Sequence, residues 1–470
     1  MAALAITTLP VTWATLLVVG SIIVIATLLR PQIGVLLLVP AVPFGSIRQV
    51  SLGVMNVGIT EVLVGLVLAV WLMRMAVKRQ AGIQWLPLSL PILLFLGALL
   101  LSLPGTVSLP HSVKEIIKWV EVLGLYLFVA HEMPGRWTRA LVFVLLGTGA
   151  LAALHGIYQF LFQVGPEGFI LLSRFMRAYG TFEQPNPYGG YLGLTLPLAV
   201  GFIVAGIVRM GKWVSGWWWL GAAGSGSLML AAMIMSWSRG AWLGFGAALV
   251  AMGLAVLARS GRAGILAIVL VVLMIYGLVA GGADLIPSSL LQRFSDFVPY
   301  VGVVDVRGRE ITDANFAVLE RMAHWQAALA MWTDHPWFGV GIGNYEVVYD
   351  RYALPMWPLP LGHAHNYYLN IAAEAGTVGL IAYLFLWTVA LAVTWRSTRR
   401  TRGWEWGVSL GVFGMLVHLC VHNLFDNLFV HAIYLHVAIL LGLRLENLAG
   451  IPGAVDHSNQ IEAISLGGSC

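Results

Sequence analysis

The stretch "HAHNYYLNIAAEAGTVGLIAYLFLWTVALAV", His363 to Val393, decides the fold. From Tyr367 onward it holds a single charged residue, Glu374, before it runs into Arg396, Arg399, Arg400 and Arg402. About 20 mostly apolar residues cross the hydrocarbon of a bilayer, so this is a membrane helix with a basic end. The rest of the chain has the same texture. Of 470 residues, 59% are hydrophobic and 10% charged, with a mean hydropathy of +0.86. Soluble domains carry about 25% charged residues. The chain therefore reads as an all-α, polytopic integral membrane protein.

Apolar segments fall at about 11–29, 31–44, 59–77, 88–103, 115–131, 139–162, 190–208, 217–236, 240–258, 263–281, 366–395, 405–425 and 428–446. The short piece after Pro31 is either a span or half of a broken helix, which gives 12 or 13 transmembrane helices. The opening "MAALAITTLP" has no basic residue before its apolar run and reads as the start of the first span, not a cleavable signal. Basic groups at Arg74/Lys78/Arg79, Arg136/Arg139, Arg209/Lys212, Arg259/Arg262 and Arg396–Arg402 occupy alternate connections, as the positive-inside rule expects of the cytoplasmic side. The +5 formal charge thus sets topology and implies no nucleic-acid partner. Cys420 and Cys470 suggest neither a disulfide framework nor a metal site.

This orientation divides the chain into N-terminal membrane helices (1–281), a large extracytoplasmic loop domain (282–365), C-terminal membrane helices (366–446) and a cytoplasmic tail (447–470). The loop holds nine acidic residues, five arginines and no lysine. Its spacing of Val318, Met322, Trp325, Leu329 and Trp332 predicts an amphipathic helix over 312–333, capped by Thr312 or Asp313 and ended by "DHP" at 334–336. Arg321 lies beside that apolar stripe. It either points into the interface with the membrane helices or covers Trp325 with its stem. "WFGVGIGNY" (337–345) follows no strand and lies in no βαβ unit, so it is a set of tight turns and not a dinucleotide fingerprint. No Walker motif or zinc-type spacing occurs, and neither nucleotide nor metal is implied.

If the 366–395 helix starts near His365, then Leu369, Ala372, Gly376 and Gly379 share the histidine's face. Small residues there would let a neighbouring span approach closely. His365 is then either a general base held at the membrane boundary or, with Asn366, a partner for loose backbone groups at the helix start. Glu374 is a functional candidate or the partner of a base on a neighbouring helix. "SWSRGAW" (236–242) places Arg239 on the outer side, against the charge bias, which argues that it has a partner. "RFMRAYGTFEQPNPYGGYLG" (174–193) brings Arg174 and Arg177 to the same side. These suit either a diphosphate, whose oxygens the guanidinium fork pairs bidentately, or lipid head groups.

Together these residues resemble the O-antigen ligase and polymerase family. His365-Asn366, nine residues, then Gly376-Thr377-Val378-Gly379 is similar to its signature H-[N/S/Q]-x9-G-x-x-G. "SWSRGAW" resembles its membrane-edge arginine motif. "ERMAHWQAALAMWTDHPWFGVGIGNY" (320–345) resembles the loop stretch with an essential arginine, here Arg321. "HNLFDN" (422–427) resembles its late membrane turn. The resemblance implies a GT-C-like fold and a metal-independent, inverting transfer of a glycan from an undecaprenyl-diphosphate carrier, on the outer face of the bacterial cytoplasmic membrane. The acceptor would be a lipid A core (ligase) or another glycan (polymerase). It implies His365 as base and Arg239, Arg321 and, more weakly, Arg174 and Arg177 on the diphosphate. Asn366, Glu374 and Asp426 become supporting residues. The outside alternative is a solute transporter, which predicts polar or broken helices near the midplane.

Overall fold

The computed structural model describes residues 11–45, 50–52, 55–79, 84–171, 174–208, 216–259, 305–312 and 315–443. The expected span 263–281, the loop up to 304, the candidate cap Asp313 and the tail 447–470 lie outside the described residues. Fourteen α-helices and two small hairpins lie within them. The hairpins pair β1 (Val50–Leu52) with β2 (Met55–Val57) and β3 (Ile170–Leu171) with β4 (Phe175–Met176).

The first apolar run is a broken helix. α1 (Val11–Leu29) stops at Arg30, whose backbone is extended (φ −146°, ψ 92°), and α2 (Pro31–Phe44) restarts on a proline at its first position. Next come α3 (Ile59–Lys78), α4 (Ser89–Leu101), α5 (Leu109–Glu132), α6 (Arg136–Phe162), α7 (Pro185–Val208), α8 (Gly216–Met235) and α9 (Arg239–Arg259). The long loop before the 366–395 segment contributes α10 (Phe316–Asp334) and the short α11 (Tyr345–Val348). α12 (Tyr367–Arg400), α13 (Gly403–His422) and α14 (Ile433–Gly442) complete the bundle. Among the described residues, seven helices (α3, α6, α7, α8, α9, α12 and α13) are long and apolar enough to cross a membrane. The chain is a polytopic membrane protein. Among the described residues fewer helices reach spanning length than the apolar runs promise: the run at 263–281 lies outside them, and local reasons account for others. α2, α4 and α14 are short, and α5 carries Lys114, Glu115, Lys118 and Glu121 within 24 residues.

Small residues set the tightest contact, between α7 and α13. A Cβ on Gly411 would stand 2.6 Å from the Leu198 Cα, and one on Gly201 would strike the Gly407 carbonyl. Such close backbone approach is how membrane helices associate without a hydrophobic driving force.

α12 is not continuous. Gly376 adopts φ +65°, ψ −166° inside it, a backbone state essentially restricted to glycine. The break frees backbone groups, and the preceding loop takes them up. Val340 and Gly341 donate to the carbonyls of Ala373 and Glu374 (2.9 and 3.0 Å), while Thr377 and Val378 donate to those of Pro336 and Trp337 (2.8 and 3.3 Å). The "WFGVGIGNY" segment is thus bonded directly onto the helix, its glycines 339, 341 and 343 all at positive φ. Asn344 ties the other side of the segment to the start of α5. Its Oδ1 accepts from the Val107 and Ser108 amides, and its Nδ2 donates to Thr106 and Ser112. The expected packing of the glycine stripe on another span is therefore corrected. Gly376 meets the backbone of Trp337 and Phe338 in the loop.

Candidate active site

The helix expected to begin at His365 begins at Tyr367. Asn366 is its N-cap, with Oδ1 accepting from the Tyr368 and Leu369 amides (3.0 and 3.1 Å). Asn366 therefore satisfies loose backbone groups, and His365 sits just outside the helix at φ +52°. Two contacts hold it there. Its amide donates to His363 Nδ1 (3.1 Å), and its carbonyl accepts from the Trp325 indole (3.3 Å). The imidazole points at Asp426, with Nδ1 3.5 Å from Oδ1, while His363 Nε2 lies 3.8 Å from the same oxygen.

Asp426 reaches this place because the last apolar run does not continue as helix. α13 ends at His422, and residues 423–432 turn back before α14. Side-chain amides support the turn: Asn423 Oδ1 accepts from the Leu428 amide and Asn427 Oδ1 from the Phe429 amide. The Tyr367 amide donates to the Asn423 carbonyl (2.8 Å), so the start of α12 and the turn are fixed to each other. His422 lies one turn before Asp426 and is fully buried. Gly240, next to Arg239 at the start of α9, leaves room for its ring, 3.3 Å from where a Cβ would stand. Arg239 therefore heads a helix that abuts this cluster.

α10 lies across the first half of α12. Its buried face is Val318, Leu319, Met322, Ala323, His324, Ala327, Ala328 and Met331; Val318 and Met322 belong to the expected stripe, but beyond them the face is rotated away from Trp325, Leu329 and Trp332. The rotation puts Trp325 and Trp332 at the flanks, where their indoles donate to the His365 carbonyl and to Thr377 Oγ1. It also buries His324, whose Nδ1 lies 2.9 Å from the Tyr345 hydroxyl and whose ring centre is 5.6 Å from that of His365. Asn315 occupies the cap position, but its Oδ1 accepts from the Thr312 amide and caps nothing. Arg321 is half-buried, and its Nε has no hydrogen-bond partner among the described residues.

The electrostatics of the cluster are uneven. Burial by itself would raise the Asp426 carboxyl, but the contact with His365 and the charges of His365, His363 and Arg321 outweigh it and hold the group well below the usual carboxylate range. Burial, then neighbouring His365, pushes His324 down to about 4. The same two causes lead for His363, which falls to about 3. Burial raises the Glu320 carboxyl against the pull of His365 and Arg321. An ionised carboxylate thus faces His365, with His324 and His363 held low beside it. His363, His365 and Asp426 each offer one ligand atom, all within 4.8 Å of one another, a set that could accept a divalent cation.

The structure gathers His365, Asp426 and Arg321, with Arg239 on the adjoining helix start. Glu374 is elsewhere: buried, with Oε1 accepting from the Tyr345 amide (2.9 Å), it anchors the loop. Arg177 is bonded to the Ser236 carbonyl and to Asn186 Oδ1 (both 2.9 Å), stapling the β3–β4 hairpin to the ends of α7 and α8. Arg174 is exposed and lies over the Phe175 ring. His363, His324, His422 and Glu320 were not among the expected residues. His422 and Asp426 stand four apart in "HNLFDN", a legible helical spacing.

The cluster thus sets an imidazole beside a carboxylate, with Arg321 close by, at one end of a helical bundle. Residues 224–384 match the family described as O-antigen ligase, and the chain is a membrane protein carrying a domain of that family. The family's enzymes are O-antigen ligase- or polymerase-type glycosyltransferases of surface polysaccharide synthesis, and their substrates are lipid-linked glycans. The match covers Arg239, Arg321, His365 and Gly376 and stops before Asp426. No curated protein matches the chain.

Proposed function

We propose that the chain is an O-antigen ligase, moving a glycan from an undecaprenyl-diphosphate carrier to a hydroxyl of a lipid A core by an inverting reaction without metal. Its site faces outward from the bacterial cytoplasmic membrane, since the arginine-rich ends of α3, α6, α9 and α12 are opposite the His365 end. The observation that carries the reading is the 3.5 Å approach of Asp426 to His365 Nδ1. A carboxylate there fixes the ring and stabilises the imidazolium, which leaves Nε2 to take a proton. Both ring nitrogens are buried and make no hydrogen bond among the described residues, an expensive state that an acceptor hydroxyl on Nε2 would relieve in part.

The acceptor oxygen, losing its proton to Nε2, attacks the anomeric carbon from the face opposite the diphosphate. The bond from that carbon to the diphosphate oxygen breaks, and the electron pair leaves with the carrier. Fixed cations suit this charge better than a general acid would. Arg321 and Arg239 are assigned to the diphosphate, a reading supported by the closeness of Arg321 to Asp426 and of the α9 start to His422, whereas Arg177 serves the scaffold. Polymerase activity uses the same residues with a carrier-bound glycan as acceptor.

The test uses purified protein in nanodiscs beside a His365→Ala variant of matched folding. Both receive an undecaprenyl-diphosphate oligosaccharide and a lipid A core acceptor, and carrier release and product size are followed. Glycan on the core, dependent on His365, is the ligase result, and a ladder on the carrier means polymerase. Carrier release unchanged by the substitution would remove His365 from the chemistry.

A further inference from the structure

At the end of the bundle opposite His365, α6, α7, α8 and the start of α13 enclose a groove of about 530 Å³. One wall is a run of rings. Phe143 stacks on Trp218 (centroids 3.5 Å apart), Trp218 meets Trp404 edge-on (5.5 Å), and Trp404 leans on Phe202 (4.3 Å). Inside, the one lining hydroxyl, Ser225, donates to the Ala222 carbonyl (3.2 Å). The mouth opens between lipid-facing surfaces, because Phe143, Gly147, Trp218, Trp219 and Gly221 are exposed.

Two features identify the occupant. Arg139 is the one charged residue lining the groove, and among the described residues no carboxylate pairs with it. Arg136 and Arg402 flank it, and exposed Glu405 stands outside the lining. The lining of α6 runs from Arg139 to Ala150, a rise of about 16 Å. Half of a hydrocarbon core is about 15 Å deep. The groove is therefore one leaflet deep, apolar along its length and cationic at the head-group level. Interfacial tryptophans suit that level.

We propose that this groove binds one anionic glycerophospholipid of the leaflet at the arginine-rich end, with an acyl chain along the ring wall and its phosphate on Arg139. The site is separate from the transfer site and does not depend on its chemistry.

Gly147 and Gly221 supply the test, because both line the groove and a Cβ on either would meet nothing within 4 Å. Leucine there fills the groove from two different helices and improves local helix propensity. Full-length protein would be placed in nanodiscs of phosphatidylethanolamine and phosphatidylglycerol at 3:1. Trace phospholipid with a photoactivatable acyl chain is cross-linked and its adducts mapped. Adducts should concentrate on residues 139–150 and 218–225, with phosphatidylglycerol favoured at least fivefold over phosphatidylethanolamine. Gly147→Leu and Gly221→Leu should each cut them at least fivefold, and Arg139→Gln should abolish the head-group preference. Uniform labelling of all lipid-facing helices, equal labelling by both head groups, or displacement by a polyprenyl phosphate but not by phosphatidylglycerol would overturn the proposal. Should a variant fail to fold, the wild-type adduct map and head-group ratio decide it.

Discussion

Asp426→Asn isolates the carboxylate that faces His365, since asparagine keeps the shape and removes the charge. Unit charges 3.5 Å apart attract by about 5 kcal/mol at an effective dielectric near 20. That attraction acts on the imidazolium formed as the proton arrives, so it favours the transition state over the ground state. The side chains are 15% and 8% exposed, and solvent screening leaves about half of it, about 2–3 kcal/mol. The expected loss in kcat is therefore about 30- to 150-fold, with little change in donor KM. Carrier release measured under saturating donor gives the number. The same substitution made on His365→Ala should cost almost nothing, because residues that act as a unit are not additive. A loss of under threefold in the wild-type background, or an equal loss in both, would refute the coupling.

Arg321→Ala should slow transfer about 100- to 1,000-fold, the scale of losing one charge-stabilising donor. Arg321→Lys should restore only part of the rate, since it keeps the charge without the fork; single-turnover carrier release separates the two. Gly376→Ala forces a Cβ against the Trp337 carbonyl in a glycine-only conformation, so a markedly lower Tm is expected beyond the about 1–3 kcal/mol of backbone strain. EDTA should leave the rate unchanged, while added Zn²⁺ should inhibit by occupying His363, His365 and Asp426, and His363→Ala should weaken that inhibition. His324 and His363 are held at about 4 and 3, against about 6.5 in an unfolded chain. The folded state therefore binds fewer protons, and stability present above pH 6.5 is lost as pH falls toward 4. Melting curves from pH 7.5 to 5 should show this fall, and His324→Gln should flatten it.

The membrane helices were legible because apolar runs of spanning length leave few alternatives, and Arg239, Arg321 and His365 stood out through the order of their motifs. Other features depend on pairings far apart in the chain. Nothing within 366–395 says that Gly376 will break the helix, because the groups that compensate come from residues 336–341. The burial of His324 followed from the rotation of α10, which its two tryptophan donors fix by reaching His365 and Thr377. Residues 423–432 read as the junction of two apolar segments. Only the side chains of Asn423 and Asn427 turn the backbone back so that Asp426 meets His365.

The break at Gly376 also bears on how the protein is made. Beyond Gly376, α12 runs on to Arg400, about 36 Å of helix against a hydrocarbon core of about 30 Å, so the turns before the break stand at or beyond the edge of the lipid. Residues 336–341 leave the ribosome before that helix does, and with the outward orientation proposed above they could bond to it only after being carried across the membrane. Until the two meet, the helix keeps unsatisfied carbonyls and amides at its bend. Docking of that segment is thus a step that must follow its own synthesis, and a chain in which it failed would expose an incomplete helix to membrane quality control.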